Sequence, residues 1–390
     1  MKRYLDAHIA TDVTRKMVIL TGPRQVGKTT LARQVGEGFR APLYLNYDAL
    51  ADRRLIEAGQ WLPTHDYVVL DEIHTMPHWK PYLKGVFDSK PATQGLLVTG
   101  SARLDTFRQA GESLAGRYFR WRLCPFSIRE FMPHSGDPES ALDALLRFGG
   151  FPEPLFAATD VARQRWQSQY FTDLVREDVL EFSRINEVRA MRHLVELLRR
   201  RTGSPLSFDS LGRDLGISPT TVRHYIDILE ALHIVFLVRP FHRNIARAQT
   251  KAPKLYFYDW AYIEEPVTGG IGGTEGTENA GARLENLVAA SLYKHVCYLN
   301  DSTGSDIGLH YLRTTSGKEV DFVLTNDSGD ATHFIEVKWA DEKPGFTLRQ
   351  LAASHPEAQS LQLVRLARHP YQVAEVQVQP LAHWLAELAA

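Results

Sequence analysis

Residues 21–30, TGPRQVGKTT, decide how this chain is read. They contain the pattern G-x-x-x-x-G-K-[ST] and follow MVILT (17–21), an apolar run of strand length. The stretch behind them, TTLARQVGEGF, suits a helix. A glycine-rich turn between a strand and a helix N-terminus aims backbone N–H groups at a phosphate, and the helix dipole favours the negative charge. On that chemistry Gly22, Pro23, Arg24, Gln25, Val26, Gly27, Lys28, Thr29 and Thr30 are expected to cradle ATP. Lys28 would reach the β- and γ-phosphates, and the Thr29 hydroxyl would ligate magnesium.

Outward from this loop, APLYLNYD (41–48), YVVLDE (67–72), GLLVTGS (95–101) and YFRWRL (118–123) read as further strands. Strands alternating with helical stretches imply an α/β fold with a parallel, doubly wound sheet over roughly residues 1–130, its ligand site at the strands' carboxyl ends. YVVLDE ends in two acids. Asp71 is expected to hold magnesium through water, and Glu72 to polarise the attacking water as general base. The GLLVTGS strand ends in hydroxyls, so Thr99 or Ser101 is a candidate to contact the γ-phosphate. Arg117 precedes the fifth strand and is the candidate arginine that stabilises phosphoryl charge, inserted into a neighbouring subunit.

TGPRQVGKTT, VVLDEIH (68–74), VTGSARL (98–104), ESLAGRY (112–118) and FGGFPEPLF (148–156) together resemble one family. It is the group of prokaryotic AAA-like ATPases fused to a conserved C-terminal domain of uncertain function. The resemblance runs over nearly the whole chain outside residues 264–281. It implies ATP binding, a homo-oligomer and a DNA-linked role.

Residues 131–198 carry longer helical periodicity and no clear strand, which suggests a helical lid or connector. In 199–262, Ser218 and Pro219 suit an N-cap and first turn, and Val222, Ile226 and Leu229 form an apolar stripe. Thr220, Thr221, Arg223 and His224 then face outward. A helix-turn-helix followed by two strands, IVFLVRPF and KLYFYDW, is the pattern of a winged helix. Between those strands Arg239, Arg243, Arg247, Lys251 and Lys254 occur with no acid, and residues 199–254 carry 10 basic and 4 acidic groups. Thr221, Arg223, His224, Arg239, Arg243, Arg247 and Lys251 are therefore the expected contacts to duplex or branched DNA. Winged helices also serve as protein-binding modules, so a nucleotide-gated regulatory ATPase with a protein partner is the alternative.

Residues 263–282 are rich in Gly, Thr and Glu and read as a flexible loop. From 283 onward a helix carrying Glu285 precedes strands with Asp321 and Glu336-Val-Lys338. D-x14-E-x-K behind a helical glutamate resembles the restriction-endonuclease-like, PD-(D/E)xK fold. That resemblance implies that Asp321 and Glu336 ligate magnesium, with Glu285 and Lys338 beside them, and makes an ATP-regulated nuclease a further alternative. Residues 283–390 carry 9 basic and 13 acidic groups, a poor electrostatic match for duplex DNA.

The whole chain has 390 residues, 45 Lys+Arg and 46 Asp+Glu, a net charge of −1 that excludes a wholly basic nucleic-acid binder. Its two cysteines, Cys124 and Cys297, support neither a disulfide framework nor a zinc site. No apolar run approaches the ~20 residues of a membrane span, and no apolar leader follows the basic start, so a cytoplasmic protein without a membrane partner is expected.

Overall fold

A computed structural model of the protein describes residues 1–59, 61, 63–100, 114–174, 185–241, 252–263, 275–314, 317–340 and 343–390. The chain divides into two units, Met1–Pro125 with Ala231–His233, and Phe126–Glu230 with Ile234–Ala390.

The first unit runs α1 (Asp6–Asp12), β1 (Met17–Thr21), α2 (Lys28–Gly36), β2 (Pro42–Asn46), α3 (Leu50–Ala58), β3 (Tyr67–Asp71), α4 (Trp79–Ser89), β4 (Gly95–Thr99) and β5 (Tyr118–Arg122). The strands form one sheet in the order β2-β3-β4-β1-β5. All pairings are parallel, with Ile19 opposite both Val98 and Arg120, and Val69 opposite Leu97. Parallel strands covered on both faces need unbroken apolar runs. MVILT, YVVLD and GLLVT supply them and are buried at every position, whereas the edge strands β2 and β5 are partly exposed. Met17, Ile19, Leu45, Val68, Leu70, Trp79, Leu83, Leu96 and Val98 pack together on this sheet. β4, the strand of GLLVTGS, lies between β3 and β1.

The second unit opens with helices α5 (Ile128–Ser135), α6 (Pro138–Phe148), α7 (Pro152–Ala157), α8 (Asp160–Leu174), α9 (Ile185–Arg199), α10 (Phe208–Leu215) and α11 (Pro219–Ala231). Then come β6 (Val235–Pro240), β7 (Lys254–Phe257), α12 (Glu275–Thr303), β8 (Gly308–Arg313), β9 (Glu319–Thr325) and β10 (Ala331–Lys338). The chain ends with α13 (Phe346–Ser354), β11 (Gln359–Val364), β12 (Tyr371–Val373), β13 (Val376–Pro380) and α14 (Leu381–Ala386). Eight strands join in the order β12-β13-β11-β10-β9-β8-β6-β7. Val320, Val323, Phe334, Leu348, Ala352 and Val376 form a core under α13.

Residues 126–390, apart from 231–233, form one compact unit. The β6–β7 hairpin that was to end an independent module pairs onto the tail's sheet, with Arg239 of β6 opposite His310 of β8 in parallel. The expected loop is shorter than its composition suggested, because Glu275 onward is already helical; its remainder, 264–274, lies outside the described residues. The expected lid also belongs to this unit. Arg129 donates to the Leu388 carbonyl at 2.6 Å, and Arg365 pairs with Glu139 at 2.7 Å and with Asp143.

FGGFPEP forms a junction inside this unit. Gly149 has φ +84°, and a Cβ there would sit 2.5 Å from Asp259 Oδ1, so only glycine fits. Asp259 Oδ1 accepts from the Gly150 and Ala261 backbone N–H groups at 3.3 and 3.2 Å. Trp260 Nε1 donates to the Leu145 carbonyl at 2.6 Å. Asp259 is 1% exposed. Burial pushes its carboxyl up to about 6, against those two hydrogen bonds and the charges of Arg283 and Arg163.

A carboxyl whose folded pKa lies above its free value of 3.8 stabilises the fold fully at lower pH, and the contribution is lost as pH rises through 6. The size is roughly 3 kcal/mol. Asp259→Asn keeps an oxygen for Gly150 and Ala261 but does not titrate. The thermal midpoint of the wild type should therefore fall relative to Asp259→Asn between about pH 4 and 6; parallel pH profiles would remove Asp259 as the source.

Candidate functional site

The chain leaves β1 and turns tightly into α2. Gly22 has φ +142°, and a Cβ there would come 2.2 Å from the Leu123 carbonyl oxygen, so this turn is closed to any side chain. Gly27, φ +102°, stands immediately before the first helical residue, Lys28. Lys28 is 8% exposed, and its Nζ donates to the Gly22 and Pro23 carbonyls at 3.0 and 2.8 Å. The ammonium is thus held inside the loop it was expected to serve. Arg3, which the sequence reading missed, braces the loop from behind. Its guanidinium, 8% exposed, donates to the Val26 carbonyl at 3.0 Å and to the Cys124 carbonyl at 2.6 Å.

The expected acid lies opposite. Thr29 Oγ1 donates to Asp71 Oδ2 at 2.7 Å, Tyr44 OH donates to the same oxygen at 2.5 Å, and Thr99 Oγ1 donates to Asp71 Oδ1. Three parallel strands, β2, β3 and β4, end side by side, which is why residues 27 to 55 positions apart meet here. Of the two hydroxyls considered at the end of β4, Thr99 faces the acid; Ser101 lies outside the described residues. Tyr44 was not foreseen, since a tyrosine on a partly buried strand carries no spacing signal. Arg33 stacks over its ring with the guanidinium 4.0 Å from the centroid. Burial, and then the hydrogen bond to Asp71, push the Tyr44 hydroxyl up to about 12, so it stays a donor.

Glu72 follows at φ +54°, a left-handed conformation that costs a glutamate roughly 1 kcal/mol or more. Burial pushes its carboxyl up, opposed by Lys28 and reinforced by Asp71 and Asp48. His74 Nδ1 lies 3.2 Å from its Oε2. His233, in the short stretch grouped with this unit, is a second residue missed from the sequence. Its imidazole is pushed down to about 3 by burial and then by the charges of Lys28 and Arg122, so it is neutral at pH 7.

These residues fit a magnesium nucleotide on their own geometry. The glycine turn excludes side chains from the cradle, one buried ammonium sits within it, and a hydroxyl and a carboxylate pair at its end. Arg117 is engaged within its own unit. Its Nε and Nη2 donate to Asp88 of α4 at 2.8 and 3.0 Å.

The second unit carries the other expected residues. Val222, Ile226 and Leu229 are buried, while Thr220, Arg223 and His224 are exposed. Ser218 caps α11, accepting from Thr221 N at 3.0 Å. Thr221 is turned back on that cap, its hydroxyl 2.8 Å from Ser218 Oγ, rather than outward. Arg223 packs over the Phe208 ring at 4.4 Å. Thr220, Arg223 and Arg239 share a cleft of about 450 Å³, with Asp209 and Asp227 also in its wall. Arg243, Arg247 and Lys251 lie outside the described residues.

Each of the acids expected in the tail has a partner of its own. Among the described residues, no group of three or more His, Cys, Asp or Glu gathers so as to hold a metal ion. Asp321 Oδ2 accepts from Val337 N at 2.8 Å, Glu336 Oε1 pairs with Lys338 Nζ at 2.9 Å, and Glu285 Oε1 pairs with Lys254 Nζ at 3.4 Å. Burial, and then the Glu285 charge, push the Asp321 carboxyl up to about 7. Cys124 and Cys297 are both buried and form no disulfide. Among the described residues no helix is long and apolar enough to cross a membrane.

Residues 14–132 match the family model of an AAA domain. Residues 139–263 and 280–384 match two domains of unknown function, DUF8612 and DUF4143. The uncharacterized protein Rv2008c of Mycobacterium tuberculosis is 31% identical over 248 residues, 62% of this chain and 54% of that protein. This chain thus spans about half of that relative's length. The uncharacterized protein MJ1544 of Methanocaldococcus jannaschii is 20% identical over 346 residues, 81% of this chain and 74% of its own length. Among solved structures, a RuvB of Thermotoga maritima is similar over 60% of this chain and 88% of its own, at 17% identity and a TM-score of 0.33. A Walker-type ATPase of Pyrococcus abyssi is similar over 66% and 93%, at 13% identity and a TM-score of 0.42. Loop, strand order and acid geometry of the amino-terminal unit agree with the AAA-domain match over residues 14–132.

Proposed function

We propose that the protein is a magnesium-dependent ATPase that couples hydrolysis of ATP to action on duplex or branched DNA. The observation that carries the first half is the meeting of Thr29 and Asp71 beside a P-loop, with Glu72 next along the chain. Lys28 and the backbone N–H groups of the loop between Gly22 and Thr30, Pro23 excepted, hold the phosphates. Thr29 and Asp71 hold the magnesium, which neutralises phosphate charge. Glu72 takes a proton from the attacking water; burial pushes its carboxyl up, which makes it a better base than a free carboxylate. Arg117 exchanges its Asp88 partner for the phosphate of a neighbouring subunit in a homo-oligomer.

The DNA half rests on the exposed Thr220, Arg223, His224 and Arg239 of a winged-helix arrangement, within a segment of 10 basic and 4 acidic groups. Arginine and a helix face fit phosphate backbones without reading bases. A nucleotide-gated regulatory ATPase with a protein partner is the second reading, favoured by Asp209 and Asp227 in the same cleft as the arginines.

Glu72→Gln should keep ATP binding and lower turnover by roughly 10²–10⁴-fold, measured by nucleotide binding and phosphate release. Turnover within tenfold of wild type would reject the base. Arg117→Ala should likewise keep binding and lose turnover, and adding a Glu72→Gln subunit with an intact Arg117 should restore activity to the Arg117→Ala nucleotide sites; no restoration in mixed assemblies would reject action across subunits. Duplex or four-way DNA should stimulate ATP turnover. Arg223→Ala and Arg239→Ala should each weaken DNA binding and reduce the slope of log affinity against log salt by about 0.9. Absence of DNA binding at low salt would leave the protein-partner reading standing.

A further inference from the structure

Lys254 closes the basic run that the sequence assigns to a DNA-facing wing, yet it is 1% exposed. It stands at the start of β7, opposite Val238 of β6 and bridged to Pro205. Its Nζ is shared between Glu285 of α12, at 3.4 Å, and Glu319 of β9. Asp321 lies two residues beyond Glu319 on the same face of β9, and its charge also acts on Lys254. The Tyr311 ring centroid is 5.4 Å from the ammonium, and Tyr256 OH donates to Glu285 Oε1 at 2.6 Å. The centre is tightly packed: a Cβ on Gly203 would come 3.0 Å from Glu285 Oε1.

Glu285 and Asp321 are two of the acids that the restriction-endonuclease resemblance gives to magnesium. Their arrangement does not suit one. A buried carboxylate needs a cation or a set of donors. Here Lys254 supplies the cation, and Tyr256 and Val337 N supply donors to Glu285 and Asp321. A divalent ion entering the same low-dielectric pocket would face an ammonium a few ångströms away, with repulsion far larger than in water. Lys254 is also fixed at its backbone by strand pairing, so its side chain cannot leave by a simple loop movement.

We propose that Lys254 is the resident cation of this centre, its ammonium standing where a metallonuclease would carry a divalent ion. Glu285, Glu319 and Asp321 are its counter-charges, and the centre takes no divalent metal while Lys254 is in place. This inference is independent of the ATPase reading. It turns the nuclease-like tail into a charge-locked structural unit and removes metal-dependent DNA cleavage from its repertoire.

The test uses the full chain without nucleotide, titrated with Mn²⁺ by calorimetry and thermal shift. Wild type and Asp321→Asn should respond identically, so that any binding elsewhere cancels. Lys254→Met should melt lower without metal. Mn²⁺ should then recover several degrees, and adding Asp321→Asn should abolish the recovery. Mn²⁺ binding to wild type that Asp321→Asn removes, or metal-dependent DNA cleavage that Asp321→Asn removes, would overturn the proposal. So would a folded Lys254→Met that gains no response to Mn²⁺. Should Lys254→Met fail to fold, the comparison of wild type with Asp321→Asn still decides.

Discussion

Three hydroxyls converge on the Asp71 carboxylate, and the first unit is organised around letting them do so. Thr29 comes from the first turn of α2, Thr99 from the end of β4 and Tyr44 from β2. A parallel sheet brings the carboxyl ends of all its strands to one edge, so residues far apart in the chain share a crevice there. The price is a sheet buried on both faces, which explains why β1, β3 and β4 have no polar position before their final residues. The polar ends of β3 and β4 are tolerated because they pair with one another. Thr99 is fully buried and Asp71 nearly so, yet each satisfies the other.

The same geometry explains what could be read from the chain and what could not. Phosphate binding needs several groups within one turn, so its residues are adjacent and their spacing is informative. Lys28 and Thr29 are adjacent at the loop, and Thr29 meets Asp71 across it, with Glu72 next along the chain. Tyr44 and Arg3 reach the site through pairings 23 to 121 residues long, and nothing local marks them. The parallel-sheet fold class of the first unit was legible because β1, β3 and β4 are apolar runs with a chemical motif at their ends. In the second unit the parallel pairing of β6 with β8 was not, since the intervening chain looks like a domain boundary by composition. Thr221 shows the limit at the scale of one residue: periodicity places it outward, but a neighbouring cap offers its hydroxyl a closer partner.

FGGFPEP illustrates a motif whose physical cause is structural. Gly149 is required by the approach of Asp259, and Gly150 supplies one of the N–H groups that this buried carboxylate accepts. Read as a string, the motif could have marked a ligand loop. Read with Asp259 and Trp260, it joins the helices to the strand side of the second unit, with Trp260 Nε1 donating to the Leu145 carbonyl.

Lys254 carries a related lesson about charge. Summing charges along the chain treats every lysine as surface, but several acids of the second unit are committed internally. Glu130 pairs with Lys294 in full burial, Glu139 and Asp143 with Arg365, and Glu285 and Glu319 with Lys254. Some of these pairs join segments that a linear count sets apart, so a segment's net charge does not describe the potential that a DNA strand meets. There was a local signal for Lys254: it is the one cation in KLYFYDW, where the flanking residues are apolar or aromatic. A single charge at the head of such a strand is placed in low dielectric by its neighbours, and it persists there only with carboxylates at hand. The acids that resemble a metal site are therefore also the acids this lysine requires, and one centre cannot serve both cations at once.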